Sequence, residues 1–191
     1  MEGFAKLGTN AFAKMEKVNS ELLSLTYGSI VCQLIKDVEF TEGVNTQLVA
    51  MGRNIGCRLV DEVLAKLGCT PCTDFKTTVE VIAKVGLKMF LGVSGEVIVV
   101  DEEKKHYHIS FQENPLDQFV ELPDNLADLT YSNIICGVIV GALEQVAWRV
   151  GECMAFQLQI KVKCEFVKDM LKGHDAYEIS IKLDEVCRRF L

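Results

Sequence analysis

Phe156, Leu158, Ile160, Val162, Cys164 and Phe166 alternate without a break with Gln157, Gln159, Lys161, Lys163 and Glu165. A period of two puts each set on its own face of an extended strand, so one face is dry and the other wet. Ile179, Ile181 and Leu183 alternate in the same way beyond a KGHD turn, and Tyr107, Ile109 and Phe111 do so within 106–112. Glu96 to Asp101 is rich in β-branched residues, and the charged DEEKK that follows reads as a hairpin loop. These runs predict four antiparallel strands whose dry face must be covered by something else in the chain.

Helical spacing supplies the cover. After Asn19 or Ser20 as cap, Leu23, Tyr27, Ile30, Leu34 and Val38 recur on one side. A second helix runs from about Val44 to Leu67 on a stripe of Leu48, Met51, Ile55, Leu59 and Val63, with Gly68 placed to stop it. A third follows Thr73 or Asp74 as cap and ends at Gly92. A fourth spans about Asp128 to about Val150, with Asp128 as its cap. The fourth carries the longest apolar run, Ile134 to Leu143, which is far short of the roughly 20 residues that span a bilayer and reads as a buried core helix. The expectation is an α+β two-layer domain, with four or so helices packed on one face of a four-stranded antiparallel sheet.

At 191 residues one domain is expected. A formal charge of -7 leaves no basic stripe for a phosphate backbone, so no nucleic-acid partner is expected. The 8 cysteines sit among long periodic segments rather than in a short loop-rich chain, which favours reduced thiols over a disulfide scaffold. Residues 1–18 have mixed polarity, with no uninterrupted apolar stretch or cleavage site. They read as an N-terminal leader that need not be ordered, and the cytosolic side of the membrane is favoured.

Cys69 and Cys72 stand at CxxC spacing before the third helix. A structural zinc site needs four ligands, usually from two close pairs, and no second CxxC exists among Cys153, Cys164, Cys187, His106, His108 and His174. A thioredoxin-like pair would follow a strand, whereas a helix precedes this one. Two further readings stay open. Both cysteines can be small buried apolar residues. Alternatively, Cys72 heads a helical face of Phe75, Val79, Ile82, Ala83, Gly86 and Phe90 that borders a narrow apolar channel. Small residues recur at Gly52 and Gly56 and at Gly137 and Gly141, a spacing that permits close helix packing or leaves room between helices.

Catalytic apparatus is sparse. The chain has no GxSxG, P-loop, HExxH or GxGxxG motif. His106 and His108 are set on opposite faces of a short strand and His174 in a turn, each a solvated side chain rather than a general base. Asp101, Glu102 and Glu103 read as a solvated loop. Glu121, Asp124 and Asn125 around Pro123 read as turn formers. No enzyme and no metal are indicated.

The run NPLDQFVELPDNLADLTYSNIICGVIVGALEQV, residues 114–146, closely resembles the signature of the subunit 3 family of the trafficking protein particle (TRAPP) complex. SELLSLTYGSIVCQLIKD, MGRNIGCRLVDEVLA, CTDFKTTVEVIAKVGLKMFLG and FVKDMLKG agree with it, so the resemblance covers about 18–183, within a single subunit domain at 19–191. It implies a noncatalytic scaffold subunit, cytoplasmic and peripheral at the ER and cis-Golgi, that pairs with other TRAPP subunits through its helical face. A homodimer in isolation is open to it. The assembled core tethers ER-derived vesicles and acts as a guanine-nucleotide exchange factor for a Rab GTPase, and membrane contact comes through the complex. The resemblance also implies a fatty acyl group, usually palmitate, on one cysteine facing an apolar channel, and Cys72-Thr73-Asp74-Phe75 matches that position. Two departures stand out: Pro71 replaces a basic residue often found before the acylated cysteine, and the segment around 147–162 is longer than the family pattern. The competing function is a stand-alone sensor domain that binds a small apolar ligand in the same cavity.

Overall fold

The computed structural model describes residues 2–67, 74–153 and 156–190. Four strands, β1 (Glu96–Asp101), β2 (His106–Phe111), β3 (Phe156–Lys168) and β4 (Tyr177–Phe190), form one antiparallel sheet in the order β1-β2-β4-β3. Tyr107, Ile109, Phe111, Ile179 and Ile181 point from the two central strands into the core, as the alternation requires. Packed with this sheet are five helices: α1 (Glu2–Lys14), α2 (Ser20–Asp37), α3 (Thr41–Leu67), a composite helix of α4 (Phe75–Val81) and α5 (Leu87–Leu91), and α6 (Ile134–Cys153). The architecture is the expected α+β layer on a four-stranded antiparallel sheet.

Local signals set several boundaries. Asn19 caps α2 by accepting from the Glu21 N–H at 2.7 Å, and Asp74 caps α4 by accepting from the Thr77 N–H at 3.0 Å. Gly92 takes a left-handed φ of 75° and closes α5. Between α4 and α5 the helix widens into a π-turn, Ile82–Gly86. Its Ala83 carbonyl accepts from the Gly95 N–H at 2.9 Å, which ties the composite helix to the start of β1.

Three expectations change. Helix α6 begins at Ile134 and not near Asp128, because Asn45 of α3 accepts from the Thr130 N–H and its carbonyl takes a bond from Asn133 Nδ2. Those bonds hold 129–130 in irregular chain and 131–133 in a turn. Part of the leader, Glu2–Lys14, is a helix, with Ala11 buried against Val85 and Met89. On α2 the covered side carries Ser24, Tyr27 and Val31, whereas Leu22, Leu25 and Ile30 are exposed.

A buried polar cluster locks the loop before α6 onto the sheet. Asp117 accepts from Tyr177 Oη at 3.0 Å, and its second oxygen accepts from Asn114 Nδ2 at 2.7 Å and from Ser132 Oγ at 3.2 Å. Burial pushes the Asp117 carboxyl above the usual carboxylate range, against the pull of those three donors.

Candidate functional site: an apolar cavity in the helical layer

Helices α3 and α6 cross at unusually close range. A Cβ on Gly52 would run into the Ile134 carbonyl oxygen, one on Gly56 into that of Val138, one on Gly137 into that of Val49, and one on Gly141 into that of Arg53. Arg53 and Glu144 bridge the same crossing at 2.6 and 2.9 Å. Beside this crossing the composite helix stands off, and a cavity of about 470 Å³ remains, within the roughly 300–1,000 Å³ typical of small-molecule sites.

Leu59, Val63 and Leu64 of α3 line it, with Val138, Ala142 and Val146 of α6, Thr78, Ile82, Gly86 and Phe90 of the composite helix, and Phe4 and Leu7 of α1. Thr78 is the polar exception, and its hydroxyl donates to the Asp74 carbonyl at 2.9 Å. The lining therefore suits an apolar chain and has little with which to recognise a polar group.

The sequence-stripe residues separate into two rows. Ile82, Gly86 and Phe90 line the cavity. Val79 and Ala83 are fully buried on the sheet side, and Phe75 packs 6.0 Å from the Tyr107 ring. Gly52 and Gly56 belong to the helix crossing, where they set how close α6 comes rather than lining the cavity. Cys69 and Cys72 lie outside the described residues. The flanking chain is informative: Val63 and Leu64 before that segment and Thr78 after it all line the cavity.

Sequence reasoning placed Leu59 and Val63 on a stripe but did not connect them with the channel. It missed Phe4 and Leu7, although Phe4, Leu7, Gly8 and Ala11 recur at helical spacing and gave a signal.

Other candidate chemistry resolves into structure. His106 and His108 lie on the same outer face of β2, as a two-residue spacing requires, with rings 5.0 Å apart. This corrects their assignment to opposite faces. His106 Nε2 is 2.9 Å from Ser180 Oγ, and His108 Nδ1 is 2.5 Å from Glu178 Oε1. The His108 hydrogen bond, helped by Lys168, holds the Glu178 carboxyl below its ordinary value. Cys32, Cys57, Cys136, Cys164 and Cys187 are free thiols. Burial and the neighbouring Cys164 push the Cys136 thiol up, which suppresses its thiolate. Among the described residues no cluster of three or more His, Cys, Asp or Glu could hold a metal ion, and no helix is long and apolar enough to cross a membrane.

The profile of the Transport protein particle (TRAPP) component family matches residues 23–182. The chain belongs to the TRAPP component family. Among its TRAPP relatives, Trafficking protein particle complex subunit 3 of Dictyostelium discoideum is 52% identical over 96% of this chain and 92% of its own. Subunit BET3 of Saccharomyces cerevisiae is 40% identical over 92% of this chain and 86% of its own. A crystal structure of subunit 3 from Naegleria fowleri, covalently bound to palmitic acid, shares 47% identity, with a TM-score of 0.79 over 91% of this chain and all of that one. The phenol-responsive sensory domain of the transcription activator PoxR superposes with a TM-score of 0.52 at 13% identity over 88% of this chain and 76% of that one, a likeness of fold alone. This chain is thus a component of the TRAPP complex, and the Dictyostelium discoideum and Naegleria fowleri subunit 3 proteins match nearly its full length.

Proposed function

We propose that this TRAPP component is a noncatalytic scaffold subunit of the vesicle-tethering complex in ER-to-Golgi transport, carrying a fatty acyl chain on Cys72 inside the helical-layer cavity. The carrying observation is the cavity itself, which is apolar, flanked on both sides of the 68–73 segment by lining residues, and matched by a 47% identical relative that holds palmitic acid covalently. In the acylation step the Cys72 sulfur attacks the carbonyl of an acyl thioester donor. A new sulfur–carbonyl bond forms, the donor's sulfur–carbonyl bond breaks, and the proton lost from Cys72 ends on the departing thiol. Asp74 works against this step. Its carboxyl is held below the usual range by the Thr77 N–H, so it is charged at neutral pH two residues from the thiol. Burial of the chain at about 0.8 kcal/mol per methylene gives an upper bound on the order of 10 kcal/mol for a palmitoyl tail, so the tail acts as core rather than as a membrane anchor.

In this reading the subunit pairs with other TRAPP subunits through its helical side, where Leu22, Leu25, Ile30 and Phe40 are exposed. The assembled core exchanges nucleotide on a Rab GTPase at cytoplasmic surfaces of the ER and cis-Golgi. Intact mass spectrometry tests the chemistry: an acyl increment removed by hydroxylamine and absent from Cys72→Ser is expected, and an unmodified mass in the native complex overturns it. Affinity recovery from cytosol tests the assembly, with related subunits and exchange activity expected together. Recovery of the chain alone refutes the scaffold role and favours a stand-alone ligand sensor.

A further inference from the structure

Helix α1 is fastened at one end and lies over the cavity at the other. At its C-terminal end the Phe12 ring faces two ammonium groups, Lys17 Nζ at 4.6 Å and Lys88 Nζ at 5.4 Å from the ring centroid. The same ring sits against Gly92, where an added Cβ would be 3.6 Å from Cζ. Ala11 is buried with Val85 and Met89 in an apolar cluster separate from the main core. At mid-helix, Gly8 rests on the Lys84 carbonyl of the π-turn with no space for a Cβ. At the N-terminal end Phe4 and Leu7 line the cavity, Phe4 also packing at the margin of the cluster that holds Ala11, while Leu7 remains 44% exposed to solvent on its other side.

The remaining walls come from elements that also build the main core, through residues such as Leu48, Val79 and Ile139. Helix α1 contributes nothing to that core, and a non-helical stretch at 16–19 joins it to α2. At 13 residues it is of a length that is marginal as an isolated helix in water. Its helicity depends on its seat, and segments of low local stability are where ligand gates are found.

We propose that α1 is the lid of this cavity, with Phe4 and Leu7 as contacts for a long apolar chain and Phe12 as the anchor about which the lid lifts. The proposal rests on the reading of the cavity as a lipid site. Entry and release of the chain then require the N-terminal half of α1 to leave Lys84 and expose the cavity flank. When the lid is closed, Phe4 and Leu7 complete the apolar surround.

The test uses the full chain with Cys72→Ser, so that occupancy is reversible, and a naturally fluorescent long-chain fatty acid, cis-parinaric acid, followed by stopped flow. Gly8→Leu unseats the lid. Where the open form is a minor state populated at about 0.1–10%, making it dominant raises the entry rate about tenfold or more. Phe4→Ala combined with Leu7→Ala keeps α1 helical but removes its contacts, so release is expected to quicken more than entry. Amide exchange over 2–14 should speed in Gly8→Leu while exchange in β2 and β4 is unchanged. If the parent binds and entry into Gly8→Leu stays within about twofold, the lid is refuted and the lipid cavity stands. If Gly8→Leu fails to fold, unchanged release from the Phe4/Leu7 variant refutes the lid in its place. A parent that binds no fatty acid refutes the lipid cavity and the lid with it.

Discussion

Gly52 of α3 and Gly137 of α6 face each other so closely that a Cβ on either would come within 3.0 Å of the other's Cα. Each also lies under a backbone carbonyl of the opposite helix, and backbone cannot rotate aside as a side chain can. Gly52→Ala and Gly137→Ala should each destabilise the chain by about 1–3 kcal/mol through overpacking, which lowers Tm by roughly 2–4 °C per kcal/mol for a chain of this size. Gly3→Ala, in α1 with nothing within 4 Å, is the control. It should be neutral or slightly stabilising, since alanine is the better helix former.

The Arg53–Glu144 ion pair spans the same crossing, but the Arg53 side chain is 57% exposed. Exposed pairs contribute about 0.2–1 kcal/mol. Arg53→Ala should therefore cost clearly less than Gly52→Ala in chemical denaturation, and the gap should widen slightly with added salt, which screens the ion pair but not the backbone clash. A larger loss for Arg53→Ala than for Gly52→Ala would mean that charge, not backbone approach, holds α3 to α6.

Gly86 offers the opposite sign. Its backbone is helical, and a Cβ there meets nothing within 4 Å because it enters the cavity. Gly86→Leu should hold or raise Tm, given the roughly 1 kcal/mol helix preference over glycine, while abolishing the acyl increment in intact mass. Ala83→Leu, three residues earlier, points into the sheet-side core, where Ala83 is 0% exposed, and should lower Tm. Matched losses of stability in both variants would contradict this division of faces.

Tyr177 Oη donates to the buried Asp117 carboxyl. Tyr177→Phe leaves the ring in place, stacked 5.2 Å from Phe111, and removes that donor alone. A loss of about 1–3 kcal/mol follows from leaving a buried acceptor short of a partner. The penalty should be larger at neutral pH than near pH 4, because burial raises the Asp117 carboxyl and protonation relieves it as pH falls.

Glu178 gives the reverse dependence. Its carboxyl lies below its ordinary 4.5, chiefly through the His108 hydrogen bond and then through Lys168. A lowered carboxylate contributes stability that is present above the unfolded value and lost as pH falls through the folded one. The stability advantage of the native chain over Glu178→Gln should therefore hold from pH 7 to about 5 and shrink on further acidification. A difference that stays flat on acidification below about pH 5 would remove the hydrogen bond as a source of stability.

The sheet was legible because a period of two admits one interpretation once a face must be dry, and the caps at Asn19, Asp74 and Gly92 acted through their own side chains or backbone freedom. The start of α6 was hidden because Asn45, far away in sequence, decides it. The cavity wall was half legible. A wheel of 3.6 residues per turn advances a row of every fourth residue by about 40° per step, which merged Val79 and Ala83 with Ile82 and Gly86. In the folded helix the rows stay apart, Thr78, Ile82, Gly86 and Phe90 toward the cavity and Val79 and Ala83 toward the sheet, with Leu87 reaching both, and the π-turn absorbs part of that drift.

That π-turn makes the composite helix a party wall between two interiors, and it is thinnest where it is widest. At Ala83 and Gly86 it has little side-chain thickness on either side, so at that turn it is mostly the backbone, a cylinder of about 2.3 Å radius at Cα, that lies between the cavity and the sheet. Its Ala83 carbonyl accepts from the Gly95 N–H ahead of β1, and its Lys84 carbonyl lies close against Gly8 of α1. Whatever occupies one room therefore leans on peptide bonds shared with the other. An occupant of the cavity would thus bear, at Gly86, on backbone that is bonded to the start of β1 and packed against the chain's first helix.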